Sequence, residues 1–226
     1  MTLDEIKEVI LGDFERVALG NPTFIKGQDV SLFSFDTTAL SMIGSKLLDE
    51  FRTMIENAVR DDIPGHIVET GVWRGGACIW AAAVLESLGS DKLVYVCDSF
   101  EGLPPAVHPK ETIDFGDSVS LRVSQEDVED NFQRLGLEHR AVFVKGWFKD
   151  TMPGLDIPVS VLRLDGDMYE STNDVLKYMY DRVSPGGYII IDDYQLPSCR
   201  MAVNEFRSRR HIRGTIKDRA GTWWRK

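Results

Sequence analysis

Residues 66–76 read HIVETGVWRGG, an apolar run that breaks into Glu69-Thr70-Gly71-Val72-Trp73-Arg74-Gly75-Gly76 and passes directly into the helical run from Cys78 to Leu88. A strand, a glycine turn and a helix in that order belong to a doubly wound α/β sheet. Ligands of such a sheet lie beyond the carboxyl ends of the strands, where the strand order reverses. The turn is a poor pyrophosphate cradle. Dinucleotide sites favour G-x-G-x-x-G, whereas here Gly71 is followed by Gly75-Gly76 only after three larger residues. A carboxylate at Glu69 is compatible instead with a cationic amino-acid ligand, which the glycines would let the backbone approach.

Further β-rich runs follow, each closed by polar residues or glycine: LVYVCD (93–98), AVFVKG (141–146), VSVLRLD (159–165) and YIIID (188–192). Nearly continuous apolar strands alternating with helical pattern suit a mostly parallel sheet covered on both faces. One intervening helix is expected after Ser124, with Val128, Phe132 and Leu135 on one face and Gly136 as terminator. Another opens at Ser171-Thr172-Asn173-Asp174 and runs through Val175, Leu176, Met179 and Val183 to a turn at Pro185-Gly186-Gly187. Upstream, Ile43, Leu47, Phe51, Ile55 and Val59 recur every four positions, which predicts a packed helix within 36–60. The tail reads as two short strands around Gly221, an antiparallel hairpin. The division expected is an N-terminal helical or lid region, 1–62, and a catalytic unit, 63–226. Residues 100–122 lack periodicity and follow a strand end; a lid over the site and a plain solvent-exposed connection both fit.

The formal charge of −10 argues against a nucleic-acid backbone or an anionic membrane as partner and for a small, cation-assisted substrate. The one dense basic run, 207–213, follows a helical segment, where cations complement the C-terminal dipole. Cys78, Cys97 and Cys199 form no CxxC pair, so neither zinc nor a disulfide framework is indicated. The acidic, amphipathic start has no basic leader region, and no apolar run approaches membrane-spanning length, so a cytoplasmic location is expected.

Two constellations carry chemistry. The first joins the ETGVWRGG turn to Asp98, a second acidic strand end able to accept hydrogen bonds from both hydroxyls of a ribose; together they favour a nucleoside-bearing ligand. Capping of the next turn is the competing reading of Asp98. The second is Leu164-Asp165-Gly166-Asp167-Met168-Tyr169-Glu170 with Asp192-Asp193-Tyr194. If these strand ends are neighbours, Asp165, Asp192 and Asp193 converge, and carboxylates so crowded repel unless protonated or bridged by a cation. All-oxygen ligands suit Mg²⁺ or Mn²⁺ rather than zinc. His139, just before the third strand, is a candidate to border the site, with a surface structural role as its competitor.

The stretches MIGSKLLDEF, HIVETGVWRGGACIW, CDSFEGLPP, KGWFKDTMP, LRLDGDMYEST and GGYIIIDDY together resemble the TylF/MycF macrocin O-methyltransferase family, which takes in NovP-type sugar O-methyltransferases. The resemblance runs from about Phe35 to the C-terminus. It implies a class I methyltransferase (Rossmann-like) fold, S-adenosylmethionine as cofactor, a Mg²⁺ requirement, and methylation of a deoxysugar hydroxyl in antibiotic biosynthesis. Carried over by motif, Asp165, Asp192 and Asp193 hold the metal and Asp167 is the general base. Glu69, Thr70, Gly71, Val72, Asp98, Ser99, Gly146, Trp147 and Phe148 line the cofactor. A homo-oligomer is a further implication. The rivals are a catechol-type O-methyltransferase, which would use the same cofactor and a similar metal on an aromatic diol, and a non-enzymatic nucleoside-binding module whose aspartates only cap strand ends.

Overall fold

The computed structural model describes residues 1–13, 37–111, 121–214, 216–218 and 222–226. Its frame is a seven-stranded sheet in the order β3-β2-β1-β4-β5-β7-β6. The strands are β1 (His66–Thr70), β2 (Val94–Asp98), β3 (Ala141–Lys145), β4 (Val159–Leu164), β5 (Val183–Ile191), β6 (Lys217–Asp218) and β7 (Thr222–Arg225). The first five pair in parallel, and β7 is antiparallel to both β5 and β6. This is the doubly wound, mostly parallel sheet with a C-terminal antiparallel pair expected from the strand spacing. The order reverses between β1 and β4, so the carboxyl ends of these two strands flank the crevice where a ligand belongs.

Alternation along the strands divides the interior in two. Ile67, Val96, Val161 and Ile190 face one layer; Val68, Cys97, Leu162, Leu164, Ile189 and Ile191 face the other. The first layer is packed by α1 (Leu3–Leu11), α2 (Ser45–Arg60), α3 (Gly76–Ser87) and α4 (Gln125–Arg134), the second by α6 (Tyr169–Met179) and α7 (Pro197–Arg209). Helix α3 is apolar all round and buried from Gly76 to Leu85, since α1 and α2 cover the side that the sheet does not. Its Trp80 spends its indole N–H on Leu48 O, 2.7 Å away. A short helix, α5 (Phe148–Thr151), follows β3. Helix α4 is capped as expected, Ser124 Oγ accepting from Asp127 N, and ends before Gly136 at φ +68°.

Two expected boundaries are corrected. The helix placed within 36–60 begins only at Ser45; residues 37–44 are non-helical. Their carbonyls are taken by tertiary partners, Thr37 O and Ala39 O by Arg74 Nη1 and Leu40 O by Gly76 N. Val183, expected at the end of a helix, is instead the first residue of β5 and pairs with Val159. Pro185-Gly186-Gly187 lies inside that strand at an irregularity of register, Gly186 at φ +82° and its N–H on Lys226 O. The turn assigned to Gly221 falls outside the described residues, as does 112–120 of the expected loop. All three cysteines are free and buried. No helix among the described residues is long and apolar enough to cross a membrane.

Candidate active site

Sheet hydrogen bonding continues one residue past each strand and so aligns the turns. Gly71 N bonds Cys97 O, Gly146 N bonds Asp98 O, Asp165 N bonds Thr70 O and Asp192 N bonds Leu164 O, all at 2.8–2.9 Å. Above this edge opens a cavity of about 430 Å³, walled on one side by Gly71, Val72, Asp98, Ser99, Gly146, Trp147 and Phe148 and on the other by Asp165, Gly166 and Asp167. Gly71 stands at φ +86°, and a Cβ there would fall 1.7 Å from Asp165 O. The glycine is thus required by the neighbouring strand end as well as by its own left-handed backbone.

Asp98 serves two backbone donors: Oδ2 accepts from Val72 N and Oδ1 from Phe100 N, each at 2.8 Å. It therefore ties the β1 turn to the β2 turn and leaves further lone pairs toward the cavity. Burial raises its pKa, and the two backbone bonds oppose the shift. Ser99 Oγ is spent within its own turn, donating to Gly102 O at 2.9 Å and accepting from Glu101 N at 3.0 Å.

On the other side one carboxylate oxygen from each of Asp165, Asp192 and Asp193 lies within 4.8 Å of the others. Asp167 has φ +57°, a left-handed conformation that short polar residues tolerate, and its N–H donates to Asp193 Oδ2 at 2.9 Å. Beneath the cluster lies Arg163, a fully buried cation. It bonds Glu69 Oε1, Asp165 Oδ2 at 2.7 Å and Asp192 Oδ1 at 2.5 Å. Burial, reinforced by neighbouring carboxylates, pushes Asp167 up to about 8 and Asp193 well above the carboxylate range. Asp192 rises to about 6, burial outweighing Arg163, and Asp165 rises for the same reason. Asp165 and Asp192 still show 30% and 22% of their side chains, so a ligand can reach them.

A further wall of the cavity is formed by Gly102, Leu103, Pro104, Pro105 and Val107. It is fastened to α6 and α7: Lys110 Nζ bonds both oxygens of Glu205 at 2.7–2.8 Å and Tyr169 Oη at 3.1 Å, while the His108 ring stacks on Tyr169 at 4.5 Å. Tyr169 N donates to Glu111 Oε2 at 2.9 Å.

The profile of the family described as Macrocin-O-methyltransferase (TylF) matches residues 15–226 of this chain. The chain belongs to the macrocin O-methyltransferase family. It is 44% identical over 204 residues to the mycinamicin III 3''-O-methyltransferase of Micromonospora griseorubida, a match covering 85% of this chain and 80% of that protein. It is 43% identical over 199 residues to the 8-demethyl-8-(2,3-dimethoxy-alpha-L-rhamnosyl)-tetracenomycin-C 4'-O-methyltransferase of Streptomyces olivaceus, 84% and 76% being covered. The solved structure of the O-methyltransferase NovP superposes with a TM-score of 0.85 at 36% identity, covering 99% of this chain and 97% of that one. The protein is accordingly an O-methyltransferase of the class I fold.

In this O-methyltransferase the sequence-derived residues fall into three groups. Gly71, Val72, Asp98, Ser99, Gly146, Trp147, Phe148, Asp165 and Asp167 line the cavity, with Asp192 and Asp193 clustered on Asp165. Glu69 and Thr70 do not reach it. Glu69 is 2% exposed and committed to Arg163 and to Cys78 Sγ at 2.8 Å, so it is not free to meet a cationic ligand. Thr70 is equally buried, its hydroxyl facing Arg163 O at 3.4 Å. His139 is corrected: it precedes β3 and so lies at the amino edge of the sheet, about 16 Å of strand away at ~3.3 Å per residue. It is exposed there and faces Glu86 at 3.2 Å. The residue the sequence reading missed is Arg163. Its signal was a charged residue inside a strand that is otherwise uncharged, two residues before Asp165.

Proposed function

We propose that this methyltransferase transfers the methyl group of S-adenosylmethionine to a hydroxyl of a deoxysugar carried by a natural product, with Mg²⁺ or Mn²⁺ held by Asp165, Asp192 and Asp193. The observation that carries the proposal is the two-sided cavity: a wall of glycines and aromatic rings around the single carboxylate of Asp98 faces a cluster of carboxylates across the strand-order reversal. The sugar acceptor follows from the relatives, whose names place their methyl groups on a mycinamicin 3'' position and on a rhamnosyl 4' position.

The residues fit both groups. Asp98, bonded by one N–H on each oxygen, keeps lone pairs for two ribose hydroxyls, and Trp147 and Phe148 offer aromatic faces beside it. The acidic trio is oxygen-only and crowded, a donor set that suits a hard divalent cation. S-adenosylmethionine supplies an electrophilic methyl, and a divalent cation supplies charge that stabilises a hydroxyl oxygen as its proton leaves. The chain's own task is to hold the hydroxyl in line and to take that proton. Asp167 is placed for it: it lines the cavity beside the acidic trio, and its backbone N–H is held by Asp193 Oδ2. Leu103, Pro104 and Pro105 add an apolar stretch to the cavity lining.

The test is methyl transfer from labelled S-adenosylmethionine to a panel of glycosylated natural products and catechols, with and without chelator. Chelator-sensitive labelling of a glycoside is the expected result. Labelling of catechols alone would move the acceptor to aromatic diols, and full turnover in metal-free protein would return the aspartates to structural duty.

A further inference from the structure

Arg163 is nearly inaccessible, 2% exposed, and is not among the residues that line the cavity above the sheet edge. Its contacts are set by the sheet. On β1 its register partner is Glu69; on β5 it is Ile190, with Asp192 two residues on along the same face. Asp165 lies two residues on along β4 itself. Three carboxylates from three adjacent strands thus meet one guanidinium, Nη1 serving Glu69 and Asp165 and Nη2 serving Asp192. One carboxylate would suffice to balance a buried arginine, and Glu69, sealed under Cys78 of α3, can do nothing else. The charges of Asp165 and Asp192 are then left over, each with one oxygen fastened and the other free of Arg163.

We propose that Arg163 is a positioning residue for the catalytic cation. By fastening Asp165 Oδ2 and Asp192 Oδ1 it fixes the angle of both carboxylates, while Glu69 cancels its charge so that the pocket stays attractive to a divalent ion. The proposal rests on the cation site put forward above. It needs a planar fork, because the acceptors spread across three strands; an ammonium group would satisfy the charge without fixing the angles. A guanidinium that served only as a counter-ion would repel a divalent cation, so altering it would leave cation binding unchanged or tighten it. A positioning guanidinium has the opposite effect.

The experiment is titration of the intact protein with Mn²⁺ alone, followed by electron paramagnetic resonance of free Mn²⁺. Calorimetry of S-adenosylmethionine binding and thermal unfolding run alongside as controls. Arg163→Lys is expected to weaken Mn²⁺ binding roughly 10–100-fold, the range for lost partners behind metal ligands, while cofactor affinity holds. Glu69→Gln, which keeps an acceptor for Nη1 but leaves the arginine's charge unbalanced, is expected to weaken Mn²⁺ binding by a smaller factor. Unchanged or tighter Mn²⁺ binding in folded Arg163→Lys overturns the proposal, as does a parallel loss of cofactor affinity, which would mark general damage. Should Arg163→Lys not fold, Arg163→Gln decides instead: it removes the repelling charge, so weaker Mn²⁺ binding supports positioning, and unchanged or tighter binding overturns it. Absence of Mn²⁺ binding in the unaltered protein would overturn the cation site itself and the positioning role with it.

Discussion

At the carboxyl edge of the sheet the turns after β1 and β2 are held by backbone donors converging on Asp98, whereas those after β4 and β5 are held by charged side chains around Arg163. The first arrangement is nearly indifferent to cations, since Asp98 makes its bonds without a counter-charge. The second holds five carboxylates, Glu69, Asp165, Asp167, Asp192 and Asp193, against one guanidinium. One half of the site is therefore finished by folding alone, and the other is left with charge for a ligand to neutralise. In the function proposed above, binding and reaction divide along the same line.

The largest expected break in this comparison is Asp167→Asn. It removes the proposed proton acceptor from the charged half and leaves the other half untouched, so turnover should fall ~10²–10⁴-fold while cofactor binding by calorimetry is retained. Near-normal turnover at saturating substrate would move the base elsewhere. Gly71→Ala should damage both halves together. Its methyl would meet Asp165 O at 1.7 Å from a backbone at φ +86°, and a loss of ~3–5 kcal/mol in chemical denaturation is expected, the range of severe steric substitutions. A loss under about 1 kcal/mol, within the ordinary run of substitutions, would mean that the two turns can move apart.

The next prediction sharpens the electrostatic contrast. In metal-free protein the raised pKa values, about 8 at Asp167 and about 6 at Asp192, mean that the folded state keeps protons which the unfolded chain releases near pH 4. Stability should therefore fall as pH rises from about 4 through 8. Tm should drop across that window, and saturating Mg²⁺ should restore more at pH 8 than at pH 5. A flat profile in metal-free protein would mean that Arg163 already balances the cluster. The smallest effect is expected at His139→Ala, within about 0.5 kcal/mol of stability and without change in turnover, as for an exposed side chain at the opposite edge.

Much of this site could be read in the chain because its residues stand at strand ends. Asp98, Gly146, Asp165 and Asp192 each close an apolar run, and in a parallel sheet such positions share one edge. His139 misled because nearness to a strand in sequence does not say which end of it is meant. Glu69 misled for a related reason: an acidic strand end can face a ligand or a neighbouring strand, and only the side-chain alternation against β4 decides.

The sequence by itself determined the α/β class, the near-parallel sheet, the family and the acidic residues, because each rests on local pattern: apolar runs, their spacing, and motif. Tertiary structure alone decided three further things. Gly71 is glycine because Asp165 O passes over it; Asp98 is a bridge between turns; and Glu69 and Arg163 form a buried pair that holds two carboxylates in place. Each is a contact between strands 26 to 94 residues apart. Such contacts are fixed by the register of parallel strands, which the crossover helices set and no single segment contains.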